Sequence, residues 1–100
     1  MIVCRAWGQE KSVPAARYVV RGRVQGVGYR YFVLRHAEEI GVAGFARNQA
    51  DGSVEVIAEG SQAALGKLEG LLGEGPAFGH VTGVECEPVA ERGASGFHVR

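Results

Sequence analysis

Apolar and polar residues alternate over residues 17–24, with Tyr18, Val20, Gly22 and Val24 on one side and Arg17, Val19, Arg21 and Arg23 on the other. A period of two predicts a half-buried strand. After QGVG the period lengthens: Tyr29, Val33, Ala37 and Ile40 recur every three to four residues and predict a helix that stops at Gly41. Residues 42–48 and 53–59 return to strand character on either side of NQADG, where the Asp51-Gly52 pair signals a hairpin turn. Ser61 is a natural N-cap for a second helix with Leu65, Leu68 and Leu72 as its apolar stripe and Gly73 as its stop. Its interior glycines, Gly66 and Gly70, each cost up to about 1 kcal/mol relative to alanine, so this helix depends on tertiary packing. Residues 80–89 predict another strand, and FHVR a short fifth one.

The order is βαββαβ with a tail strand. Two helices are too few to cover both faces of a sheet. The economical arrangement is an α+β fold, a ferredoxin-like sandwich with both helices on one face of an antiparallel sheet.

A length of 100 residues accommodates one domain, and 46% hydrophobic content is enough for a core without covalent staples. Residues 1–16 read as a loose leader and 17–100 as the folded domain. The formal net charge of zero argues against a nucleic-acid or membrane-surface binder that works by bulk electrostatics. The charge is unevenly spread, however. Residues 17–35 hold five arginines and no acid, whereas residues 36–100 hold four basic and ten acidic residues. Cys4 and Cys86, 82 positions apart, have neither zinc-site nor disulfide-framework spacing, and reduced thiols are expected. Cys86 shares strand parity with Val84 and reads as a small buried hydrophobe. Arg5, Glu10 and Lys11 interrupt the first residues before any apolar run reaches signal-peptide length, and no stretch approaches the roughly 18 apolar residues of a membrane helix. A cytoplasmic protein is expected.

The candidate chemistry lies in GRVQGVGYR, residues 22–30, between the first strand and the first helix. Free N–H groups at a helix N-terminus carry partial positive charge, and Gly26 and Gly28 let the loop curl so that several amides converge on an anion. Such a nest suits a phosphate. Arg30 adds a permanently charged planar fork able to hold two phosphate oxygens. Glycine spacing by itself describes no more than a tight turn with Arg30 as a solvated surface residue. The third glycine of a dinucleotide fingerprint is missing, as is any GxxxxGK[ST], which disfavours a nucleotide site.

At every position GRVQGVGYR resembles the signature of the acylphosphatase family. A second stretch, GFARNQADGSV, also resembles the family's pattern and places Asn48 18 residues after Arg30. Residues 95–100 are similar to its closing strand, without the tyrosine often found after the arginine. The resemblance covers residues 17–100. It implies the ferredoxin-like fold and hydrolysis of acyl phosphates to a carboxylate and inorganic phosphate, with no metal or other cofactor. It further implies that Arg30 is the phosphate-binding catalytic residue, that Asn48 orients the attacking water, and that the backbone of Gln25, Gly26, Val27, Gly28, Tyr29 and Arg30 cradles the phosphoryl group. The expected partner is a small-molecule acyl phosphate, with inorganic phosphate or sulfate able to occupy the same site. No nucleic acid, membrane or second subunit is expected.

The chemistry accepts so short a list. A carboxylate leaves without protonation, and a loose phosphoryl transition state asks mainly for positioning and charge stabilisation. Arg30 and Asn48 suit those tasks, though neither can act as a general base. His36, His80 and His98 lack metal-ligand spacing and read as surface or packing residues. Arg21 and Arg23 either raise the local potential for an anionic substrate or are solvated surface charges. Asp51 and Gly52 read as structural. The rival class is a ferredoxin-like binding module. RNA is disfavoured because Glu55 and Glu59 stand where such a sheet needs aromatic and basic residues, whereas an anion binder without chemistry stays open. A detached piece of a hydrogenase-maturation carbamoyltransferase is a further alternative, although the cysteine pairs and length of those proteins are absent.

Overall fold

A computed structural model describes residues 15–100; the leader expected over residues 1–16 lies almost wholly outside them. The order is β1 (Ala15–Arg23), α1 (Tyr29–Ile40), β2 (Ala43–Asn48), β3 (Val54–Glu59), α2 (Gln62–Glu74), β4 (His80–Pro88) and β5 (Phe97–Val99). The strands form one sheet in the order β4-β1-β3-β2-β5. The first four pair antiparallel, and β5 runs parallel to β2. This is the expected ferredoxin-like order with a short added edge strand.

The alternation in β1 sorts its side chains as expected. Tyr18 and Val20 are fully buried, and they pack with Val54, Val56, Leu65 and Leu68 in one core between the sheet and the two helices. The α1 stripe contributes Tyr29, Val33 and Ala37. The α2 stripe contributes Leu65, Leu68 and Leu72, as predicted, and the Ser61 hydroxyl accepts the Ala64 amide at 3.1 Å as its N-cap. Two tyrosine hydroxyls cross the core to α2. Tyr29 donates to the Leu72 carbonyl at 2.8 Å and Tyr18 to that of Leu65 at 3.4 Å. Each buried O–H thereby gains the partner that burial demands.

The end of the second helix shifts. α2 runs through Gly73 and stops at Gly75, whose amide closes on the Leu71 carbonyl. The hairpin between β2 and β3 forms across the expected turn. The turn spans Gln49 to Gly52, closed by the Gly52 amide on the Gln49 carbonyl at 3.1 Å, and the Gln49 amide then bonds the Ser53 carbonyl at 2.8 Å. The Asp51 carboxylate accepts from the Ser53 amide and hydroxyl, which drives its pKa down to about 2, with Arg21 helping. Cys86 packs half-buried against the core as expected. The chain's other cysteine, Cys4, lies outside the described residues.

The sheet face away from the helices is charged. Glu55, buried there, accepts from Arg17 and from Arg47 at 2.6 Å. Glu59, also buried, accepts the backbone amides of Arg92 at 2.9 Å and Ala94 at 3.0 Å. These residues belong to the segment that connects β4, on one edge of the sheet, to β5 on the other. Glu59 therefore pins the crossover that delivers β5 to its place beside β2.

Candidate active site

The loop between β1 and α1 is shaped by its neighbours at both ends. At Gly22 the pairing of β1 with β4 shifts register, and a Cβ there would stand 2.2 Å from the His80 carbonyl oxygen, so only glycine fits. Val24 is buried and Val27 packs against the core, which leaves the backbone between them to bow outward. Gly28 is the N-cap of α1, at φ 79°, in the left-handed region that other residues enter only at a cost. Having no side chain, it caps nothing. Among the described residues no side chain caps the start of α1, and no acid sits in its first turn. The N–H groups that would otherwise be spent on a cap stay available to an anion.

Arg30 is the second residue of α1 and Asn48 the last of β2. Both line one cleft of about 240 Å³, together with Val24, Gly26, Gly28, Tyr29 and Tyr31. The fold thus brings together the two side chains singled out from separate motifs. Arg30 is already oriented: its Nη1 donates to the main-chain carbonyl of Arg100 at 2.6 Å, across a separation of 70 residues. Nη2 and Nε remain for a ligand. Among the described residues nothing hydrogen-bonds the Asn48 carboxamide, which is exposed at the mouth of the cleft. Among the described residues no acid lines the cleft. The Tyr29 phenol is no proton acceptor either, since burial pushes its pKa upward and its O–H is bound to Leu72.

Two of the six predicted loop residues, Gln25 and Val27, are absent from the cleft wall. Gln25 has a role its sequence position did not disclose. Its carboxamide nitrogen donates to the carbonyls of Gln49 at 2.7 Å and Ser53 at 2.9 Å. It ties the loop before α1 to the turn that follows Asn48, fixing the distance between the two halves of the site. The Arg100 carbonyl was also missed. A backbone atom brought in from 70 residues away leaves no sequence signal.

The histidines stand apart from the cleft. His36 stacks edge-on against Phe32 at 4.6 Å and faces Glu39, and His98 is bonded to the Ser95 carbonyl. Arg21 is held by Glu85 and Asp51, so its charge is committed to the sheet surface rather than to a ligand. Among the described residues no group of His, Cys, Asp and Glu is arranged to hold a metal ion, and no helix is long and apolar enough to cross a membrane.

An uncapped helix start, an oriented guanidinium and an exposed carboxamide make a cleft suited to an anion, and known proteins share the framework that builds it. The sequence profile of the acylphosphatase family matches residues 16–99. An acylphosphatase of Alkalilimnicola ehrlichii is 49% identical over 83 residues, which cover 83% of this chain and 93% of the relative. One of Thermus thermophilus is 46% identical, covering 87% of this chain and 99% of the relative. The crystal structure of the Bacillus subtilis acylphosphatase superposes with a TM-score of 0.84 at 37% identity, over 86% of this chain and 97% of that one. With a family profile spanning nearly all the described residues and close relatives matched almost end to end, the chain belongs to the acylphosphatase family.

Proposed function

We propose that this chain hydrolyses acyl phosphates to a carboxylate and inorganic phosphate, with Arg30 and Asn48 as its catalytic residues. The observation that carries the reading is their meeting in one cleft at the uncapped start of α1. The phosphoryl oxygens lie against the Arg30 guanidinium and the backbone N–H groups of residues 25–30, which spread the charge that develops in the transition state. The Asn48 carboxamide orients a water for attack on phosphorus. As the new P–O bond forms, the bond to the acyl oxygen breaks and the carboxylate departs with the electron pair. The water's proton passes to a phosphoryl oxygen, because no cleft residue is placed to act as a base near neutrality. A substrate whose leaving group needs no protonation is the one such a site can turn over, which favours acyl phosphates over phosphate esters.

The test is loss of benzoyl phosphate in the presence of a chelator, followed spectroscopically. Turnover is expected, with a pH–rate profile that shows no enzyme base titrating near neutrality. Absence of turnover overturns the assignment. Inorganic phosphate or sulfate, sharing the substrate's tetrahedral oxygens, competes at the same cleft, and the chain acts as a monomer. The cytoplasm is the compartment read from the sequence. A cytoplasmic chain keeps its thiols reduced. Thiol titration of protein drawn directly from cells decides the matter.

A further inference from the structure

Beside the cleft, along the exposed side of α1, runs a groove of about 380 Å³ whose apolar lining is Tyr31, Phe32, Leu34 and Pro76. Gly28 and Tyr31 line both the groove and the cleft, so the two cavities meet at the start of the helix. Two large apolar side chains are strongly exposed among the described residues. One is Tyr31, 68% exposed at that junction. The other is Phe78, 82% exposed and two residues beyond Pro76. Aromatic surface left in water at the edge of a reactive cleft marks a place where a ligand gains by covering it.

We infer that this groove receives the acyl group of the substrate and that Tyr31 sets acyl specificity, favouring aryl and other bulky apolar acyl phosphates over acetyl phosphate. The inference rests on the assignment of the cleft to phosphoryl transfer. In that reaction the attacking water and the leaving oxygen stand on opposite sides of phosphorus. Asn48, the water's partner, lines the cleft but not the groove. The groove is therefore open to the departing group, and it adjoins the cleft through Tyr31 rather than through Asn48. Its length is suitable: Gly28 and Arg35 both line it, and seven residues of helix rise about 10 Å, room for a carbonyl and an aromatic ring. At its far end Arg35 and Glu38 contribute opposite charges, so neither sign of substrate charge is favoured and apolar contact decides. An aromatic acyl group stacked on Tyr31 gains offset-ring contact that an acetyl group cannot make.

The experiment compares kcat/KM for benzoyl phosphate and acetyl phosphate in the wild type, Tyr31→Ala, Tyr31→Phe and Arg30→Lys. The wild type is expected to favour benzoyl phosphate. Tyr31→Ala should lower the benzoyl-to-acetyl ratio by roughly tenfold, mainly through KM for benzoyl phosphate, and Tyr31→Phe should keep the ratio because the ring remains. A ratio unchanged in Tyr31→Ala, while Arg30→Lys is inactive, overturns the acyl groove and leaves the cleft assignment standing. Near-normal rates in Arg30→Lys overturn the cleft assignment, and the groove's role falls with it.

Discussion

One nitrogen of the Arg30 fork is already held by the Arg100 carbonyl, so in the proposed reaction part of the entropy of orienting a long side chain is lost on folding rather than on binding. A lysine keeps the charge but has no planar fork to share between a carbonyl and two phosphoryl oxygens. Arg30→Lys is therefore expected to lose most activity, about 10²-fold or more in kcat/KM with benzoyl phosphate. Asn48→Ala is expected to lose about 10²-fold, by analogy with removing a positioning donor, and to do so in kcat because the proposed role of the carboxamide is toward the water rather than the phosphoryl group. Circular dichroism should show both variants folded, since neither side chain enters the core. Gln25 makes a different prediction. Its carboxamide joins the loop to the Gln49–Ser53 turn without lining the cleft, so Gln25→Ala leaves every reacting group in place and loosens their spacing. A loss of about tenfold in kcat/KM, together with weaker competition by inorganic phosphate, is the expected result.

Among the elements, β3 holds two buried carboxylates that contribute to the acid sensitivity of the fold. Glu59 has its pKa lowered by the Arg92 amide and then, against the cost of burial, by the Ala94 amide. For Glu55 burial acts to raise the pKa, but hydrogen bonds from Arg17 and Arg47 outweigh it and the net direction is down. A carboxylate whose folded pKa is depressed contributes stability that is complete above its unfolded pKa, about 4.3, and that disappears as pH falls through the folded value. The urea midpoint should hold from neutrality to about pH 5 and drop below about pH 4. Glu59→Gln should be less stable than the wild type at neutral pH, with a smaller further drop on acidification. A variant as acid-sensitive as the wild type would place the effect elsewhere.

The same elements show where a sequence is legible. β1 and α1 were readable because their apolar periods match the surfaces they bury, and Ser61 because an N-cap is a local device. The stop of α2 was not, because Gly73 and Gly75 look alike until tertiary packing chooses which one turns. Nor was the register shift at Gly22, since it is set by the backbone of His80 on another strand. The Gly22→Ala variant should expose that hidden constraint. It forces β1 away from β4, and a loss of several kcal/mol in urea unfolding is expected, against about 1–2 kcal/mol for Gly28→Ala, where the backbone angle is unfavourable but space is open.

At the scale of the molecule, the site is assembled from parts far apart in sequence. Arg30 and Asn48 were legible because each sits in a motif. Gln25 reaches across 24 residues and the Arg100 carbonyl across 70, and both contacts exist only once the sheet has closed. The pinning of the crossover by Glu59 has a consequence in time as well as in space. With the crossover held by Glu59, β5 is expected to dock beside β2 after the longer strands have paired, and the guanidinium of Arg30 gains its carbonyl only when β5 docks. Closing so long a loop is slow compared with forming the local helices. Helical circular dichroism should thus recover ahead of hydrolysis when the chain is diluted from urea, the lag measuring the arrival of β5. Simultaneous recovery would mean the guanidinium needs no such anchor. A lag would mean that the enzyme withholds its reaction from incompletely folded copies of itself.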